Sequence, residues 1–145
     1  MAYIATNYAN NSSAPVDKWT CAPTSDLGPF DGVPETADTK GPNFCGQCVS
    51  YVKQVCPTLP ATSAWTKGTA AKNNQTIAAG TVIATFNDSG KYEGHAAIYV
   101  SQDPIGIKVY DQYITPPNPK AVGPRTLRWR AKGNSNNGDN FYVVE

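Results

Sequence analysis

The chain has 145 residues, a formal net charge of +1, 16% charged and 40% hydrophobic residues, and twelve each of proline and glycine. One domain spanning residues 1–145 is the expectation at this length, with enough apolar content to bury a core and with short elements joined by many loops. Lys and Arg form no clustered nucleic-acid footprint, no run of like charge makes a tail, and no apolar run approaches the roughly 20 residues that span a bilayer; neither nucleic-acid binding nor membrane insertion is expected.

Residues 1–43 read as an irregular N-terminal wrap on a core formed by residues 44–145. Pro15, Pro23, Pro29 and Pro34 argue against long helices there, Trp19 and Phe30 are placed to pin the wrap to the core, and at most one short helix is expected. Met1 to Asn11 has neither the basic start nor the apolar region of a secretory signal. Gly41, Pro42 and Asn43 break any earlier structure. The spacing of Val49, Val52 and Cys56, widened by Val55, then predicts a helix over 46–56, which Pro57 and Pro60 stop. Thr62 to Gly68 reads as a short turn or helix whose Trp65 either lines a groove or packs in the core. Residues 73–80 read as a loop.

Three strands follow. Thr81 to Phe86 ends in a turn at 87–90. His95 to Val100 ends in a turn at Asp103-Pro104. Ile105 to Tyr113 alternates in part, with Ile105, Ile107 and Val109 on one side. Pro116, Pro117 and Pro119 force a loop, Thr126 to Arg130 is a fourth strand, and Phe141 to Val144 a fifth beyond a polar turn at 133–140. A helix ahead of these strands gives an α+β class with a mainly antiparallel sheet.

The helix begins at or near Cys48. A thiol at a helix N-terminus lies near the positive end of the backbone dipole, which favours the nucleophilic thiolate. Cysteine catalysis also needs a base that later acts as acid, and a group that orients it. His95, the only histidine, supplies the first from its strand. Asp111, brought alongside by the turn near Asp103, supplies the second, with Gln112 as a weaker alternative. Two other uses of the thiols compete. Cys45 and Cys48 have redox-pair spacing but lack a preceding βαβ unit. Cys45, Cys48, Cys56 and His95 lack a second paired-ligand motif for zinc, so no metal and no other cofactor is expected. A helix over 46–56 separates Cys48 from Cys56 by about 12 Å at 1.5 Å per residue, beyond disulfide reach. Cys21 with Cys45, Cys21 with Cys56, Cys45 with Cys48 (which would cap the nucleophile), or no bridge all remain open.

Gly46-Gln47-Cys48-Val49-Ser50-Tyr51-Val52, the Trp65–Gly68 segment, Gly80 to Phe86, Gly94-His95-Ala96-Ala97-Ile98-Tyr99 and Tyr110-Asp111-Gln112 together resemble the cysteine, histidine-dependent amidohydrolase/peptidase (CHAP) family. That family belongs with the NlpC-like cysteine peptidases of the papain-like fold. The resemblance implies a papain-like catalytic domain with the nucleophile helix packed on the sheet. It maps the nucleophile to Cys48, the base to His95 and the polar third residue to Asp111, with Tyr113 standing where the family has Asn. It implies hydrolysis of peptide or amide bonds in bacterial peptidoglycan. Small size and the lack of a wall-binding domain look most like the amidase effectors of type VI secretion. This implies secretion without a signal peptide, action in the periplasm of a target bacterium, and an immunity protein as partner. A phage or autolytic wall hydrolase matches the same catalytic residues. Gln47, Trp65, Tyr92, Gln112 and Tyr113 are the expected groove or oxyanion residues, beside the Cys48 N–H, and 87–94 and 114–124 the expected rims. A wall-binding module without catalysis, using Trp65, Tyr92, Tyr113 and Trp129, and a thiol redox protein are the readings from other classes.

Overall fold

The computed structural model describes residues 1–34, 45–115 and 118–145. The expected break at 41–43, the last part of the N-terminal wrap and Pro116-Pro117 lie outside the described residues. In chain order come β1 (Trp19–Thr20), β2 (Phe30–Asp31), α1 (Cys48–Val55), β3 (Lys67–Ala70), β4 (Val82–Phe86), β5 (Tyr92–Gln102), β6 (Gly106–Tyr113), β7 (Lys120–Arg128) and β8 (Phe141–Val144). Short 3-10 turns cover Thr62–Ala64 and Gly138–Asn140. The class is α+β, as the sequence implies.

The helix starts where backbone geometry allows it to. Gly46 has φ of +99° and a Cβ there would strike Ile114, so the chain turns on glycine. Gln47 is extended at the N-cap, and Cys48 opens α1. Tyr51, Val52 and Val55 are buried, each worth about 1.5–3 kcal/mol against exposure, and this face packs α1 against β5 and β6. The helix ends at Cys56, just before Pro57, as the prolines predict.

Six strands form one sheet in the order β3-β8-β4-β5-β6-β7, with every neighbouring pair antiparallel. Both faces are covered. Val82, Ala84, Ala96 and Ile98 belong to the core beneath α1, while the alternate residues Ile83, Ala97 and Tyr99 join Ile107, Val109, Leu127 and Phe141 in a second core, the period of two expected of strands. The fourth strand differs from its expectation. It begins at Lys120, not Thr126, and pairs along β6 from Tyr113–Lys120 to Gly106–Arg128. The loop expected from Pro116, Pro117 and Pro119 ends sooner than read, and the strand takes in Pro124. Strand β7 is an edge, where a missing N–H costs no ladder bond. The strand β3 was read within a turn or helix; its four residues at the opposite edge are exposed or half-buried and carry no periodic signal.

The described part of the N-terminal wrap contains no helix. Its β1 and β2 pair with each other as a separate two-stranded sheet, and it holds to the main sheet through an Ile4–Thr81 bridge and backbone hydrogen bonds of Asp17 and Lys18 with Val122. Cys21, just after β1, is disulfide-bonded to Cys45, just before the Gly46 turn; Cys48 and Cys56 are free and buried. Of the open pairings, the one formed ties the N-terminal arm to the start of α1. Closing a loop of sequence separation 24 is worth about 3 kcal/mol of unfolded-state entropy. Reduction, or Cys21→Ser with Cys45→Ser, should lower the melting temperature by about 10 °C in thermal denaturation followed by circular dichroism; an unchanged transition would contradict the assigned staple.

Candidate active site

Cys48 sits in the first turn of α1, its side chain almost wholly buried. The sulfur borders the same cavity as the His95 ring, each group shifting the other's pKa, and lies 3.4 Å from the Tyr92 hydroxyl. Burial alone would push the thiol pKa up, but the hydrogen bond and charge of His95, the Tyr92 hydroxyl and the Ala96 backbone outweigh it and lower it. Tyr92 moves the other way: burial and the adjacent thiolate charge raise its pKa, so it keeps its proton to donate. Its ring is held by the edge of Trp65 at 4.9 Å.

His95 is aimed by a bulge between β4 and β5, where the register shifts between the Ala84–Ala96 and Phe86–Tyr92 pairs. The Thr85 hydroxyl, inside the bulge, accepts from the His95 backbone N–H at 3.0 Å and donates to the Glu93 carbonyl. Gly94 makes this possible. It has φ of +114°, and a Cβ there would collide with the Thr85 hydroxyl. An extra residue that turns a strand and re-aims a side chain is a common use of a bulge.

Asp111 is fully buried on β6. Its Oδ2 is 2.7 Å from His95 Nε2, which leaves Nδ1 of the ring for the thiol. The same oxygen accepts from Arg125 Nε at 2.9 Å and Nη2 at 2.7 Å, while Lys120 Nζ stands 3.1 Å from Oδ1 and also donates to the Asp111 and Gly123 carbonyls. Burial pushes this carboxyl toward its neutral form, but the His95 bond and charge, Arg125 and Lys120 hold it well below the usual carboxylate range. His95 in turn loses stability as a cation through burial and regains more from the Asp111 and Cys48 contacts, so its pKa is raised to about 9. Both shifts favour thiolate beside imidazolium, the form that attacks a carbonyl without a prior proton transfer.

The sulfur lies where two halves of a groove meet. One half, about 530 Å³, runs along α1 past Thr24, Val49, Lys53, Thr62 and Tyr92. The other, about 360 Å³, is lined by His95, Tyr113, Asn118, Arg125, Ser135 and Asn136. Gln47, Cys48 and Gly94 border both.

The sequence-predicted residues Cys48, His95 and Asp111 thus come together, and Gln47, Tyr92 and Tyr113 do line the groove. Trp65 and Gln112 do not. Trp65 is buried, with its indole N–H donating to the Pro60 carbonyl at 2.9 Å. Gln112 is fully buried; its amide bonds both backbone groups of Thr20 and the Gln47 carbonyl, each at 2.8 Å. The redox-pair and zinc readings lose Cys45 to its disulfide with Cys21. Of the expected rims, 114, 115 and 118 line the groove, but 120–124 is strand and the turn at 135–136 takes part instead. Sequence reasoning missed Thr85, Lys120 and Arg125. With Asp111 opposite Gly123 in the ladder, Arg125 lies two residues along on the same face, a signal hidden while 120–125 read as loop.

Comparison with known proteins gives the family. A family model described as domesticated amidase effector 2 matches residues 31–144. The chain is 44% identical over 104 residues to the domesticated amidase effector 2 of Ixodes scapularis, covering 68% of this chain and 70% of that one. It is 33% identical over 114 residues to a type VI secretion amidase effector 2 protein of Salmonella typhi, covering 68% and 84%. A solved structure of a type 6 secretion amidase effector 2 aligns with a TM-score of 0.59 at 32% identity, over 68% of this chain and 80% of the other. The chain belongs to the domesticated amidase effector 2 family, a group of amidase effectors.

Proposed function

We propose that this protein hydrolyses amide bonds of bacterial peptidoglycan by covalent cysteine catalysis, with Cys48 as nucleophile, His95 as acid and base, and Asp111 as the group that orients the imidazole. The observation that carries the proposal is that Cys48 and the hydrogen-bonded His95–Asp111 pair meet at the centre of an open groove. Kinship to proteins named amidase effectors supports the substrate class. The Cys48 thiolate attacks the scissile carbonyl, whose oxygen takes the negative charge. The Cys48 backbone N–H is left without a helical partner at the start of α1 and is one donor to that oxygen. The Tyr92 hydroxyl, held protonated beside the sulfur, is the second. His95 passes its proton to the departing amine, leaving a thioester on Cys48. Water then enters, gives its proton to His95 and cleaves the thioester, which restores the thiolate and releases the acid.

This sequence of steps orients the substrate. His95 borders only the half of the groove that carries Tyr113, Arg125 and Asn136, so the leaving amine lies there. The acyl half of the substrate lies along α1. In the bacterial setting named for the Salmonella typhi relative, the protein would be delivered by type VI secretion, act in the periplasm of the target bacterium, and be blocked in its producer by an immunity protein.

Cys48→Ala should abolish release of soluble fragments from purified sacculi, with wild-type product masses identifying the bond cut; equal release by both would remove Cys48 from its role. The pH profile of kcat/KM should fall on the alkaline side as His95 loses its proton near pH 9. Because an anionic neighbour raises that value, Asp111→Asn should move the alkaline limb to lower pH and cut the rate at neutral pH by about a hundredfold or more; an unmoved limb would contradict the orienting role. Thr85→Val strands the His95 N–H and the Glu93 carbonyl, and kcat should drop about tenfold with KM little changed. Thr85→Ser, which keeps the hydroxyl, should restore it; equal rates for Val and Ser would show that the bulge hydroxyl does not aim the imidazole.

A further inference from the structure

The two halves of the groove differ in charge. On the leaving-amine side, the lining cation Arg125 is engaged by the Asp111 carboxylate and the Asn136 side chain. On the acyl side Lys53 is, among the described residues, the one lining residue with a basic side chain. It is half-buried, and among the described residues no carboxylate lies within ion-pair distance of it. The rest of that wall offers neutral groups: Thr24, Val49, Thr62 and the tyrosine ring of Tyr92. A cation left without a partner in a part-desolvated cleft favours a ligand that brings its own anion.

Position along α1 says where that anion belongs. Lys53 lies five residues after Cys48, about 7.5 Å further along the helix axis at 1.5 Å per residue. That distance is about the span of two residues of extended chain.

We propose that Lys53 is a specificity-determining residue that recognises a free carboxylate on the acyl half of the substrate, about two residues before the scissile carbonyl. The inference rests on the hydrolase reading above and adds to it a substrate class: acidic acyl donors, whose carboxylate is neither amidated nor esterified. Lys53 neither touches the reacting atoms nor supports His95, so its effect falls on KM.

The test uses two synthetic cross-linked stem peptides. They contain the bond identified by the product masses and differ only in bearing a carboxylate or a carboxamide at that upstream position. Wild type should cleave the carboxylate peptide with about tenfold higher kcat/KM, through KM. Lys53→Gln should cut both peptides at equal kcat/KM, Lys53→Glu should favour the carboxamide, and Lys53→Arg should keep the wild-type preference. Equal use of the two peptides by wild type, or an undiminished preference in Lys53→Gln, would overturn the assignment while leaving the hydrolase reading intact. Wild type that cuts neither peptide would overturn the hydrolase reading itself, and the Lys53 assignment with it.

Discussion

A carboxylate in a protein interior stays ionised only when its charge is answered, and Asp111 is answered by three groups. Arg125 donates twice to one oxygen, the His95 ring meets the same oxygen, and Lys120 stands against the other. Without those partners, burial would leave the acid neutral. A neutral Asp111 would not hold an imidazolium, and a neutral imidazole would not hold a thiolate in so buried a place. Buried ion clusters add little net stability compared with apolar packing. This one converts its desolvation into a fixed electrostatic field that reaches the sulfur through a single ring.

The adjacent residue secures the other half of the site. Successive strand residues point to opposite faces, so Asp111 and Gln112 act in opposite directions from one place on β6. Asp111 faces His95. Gln112 grips the β1 backbone at Thr20 and the carbonyl of Gln47, the residue before the nucleophile. The Cys21–Cys45 bridge and the Gly46 N–H bonded to the Thr20 carbonyl reinforce that grip. Imidazole and thiol, distant in the chain, thus share one anchor on β6, next to the edge strand β7. The Thr85 bulge supplies the remaining adjustment by turning the strand that bears His95.

Much of this was legible from residue order alone. A cysteine after Gly-Gln at a helix start, a glycine before the only histidine, and an aspartate one hairpin later marked the three positions that the fold brings together. Alternation and turn residues gave four of the six main strands close to their observed limits. What escaped did so for physical reasons. Arg125 and Lys120 became visible only once β7 was known to pair with β6, because Pro116, Pro117 and Pro119 made the stretch up to 124 look like loop. Gln112 was expected at the groove because it adjoins Asp111, yet the strand period turns it inward. Trp65 had two readings, and its indole N–H, satisfied by the Pro60 carbonyl, lets the ring pack in the core. The disulfide was open because pairing is a matter of three-dimensional proximity, which spacing narrows but does not decide.

The central claim is that His95 is an imidazolium beside a thiolate in the resting protein. Because it is the only histidine, isotope labelling of histidine gives a single imidazole to follow by nuclear magnetic resonance across a pH titration. The account expects ring nitrogens with the shifts of the protonated form at neutral pH, titrating near pH 9, and a lower midpoint when Cys48 is replaced by alanine. A ring that is already neutral at neutral pH, with an ordinary midpoint near 6.5 that ignores Cys48, would contradict it.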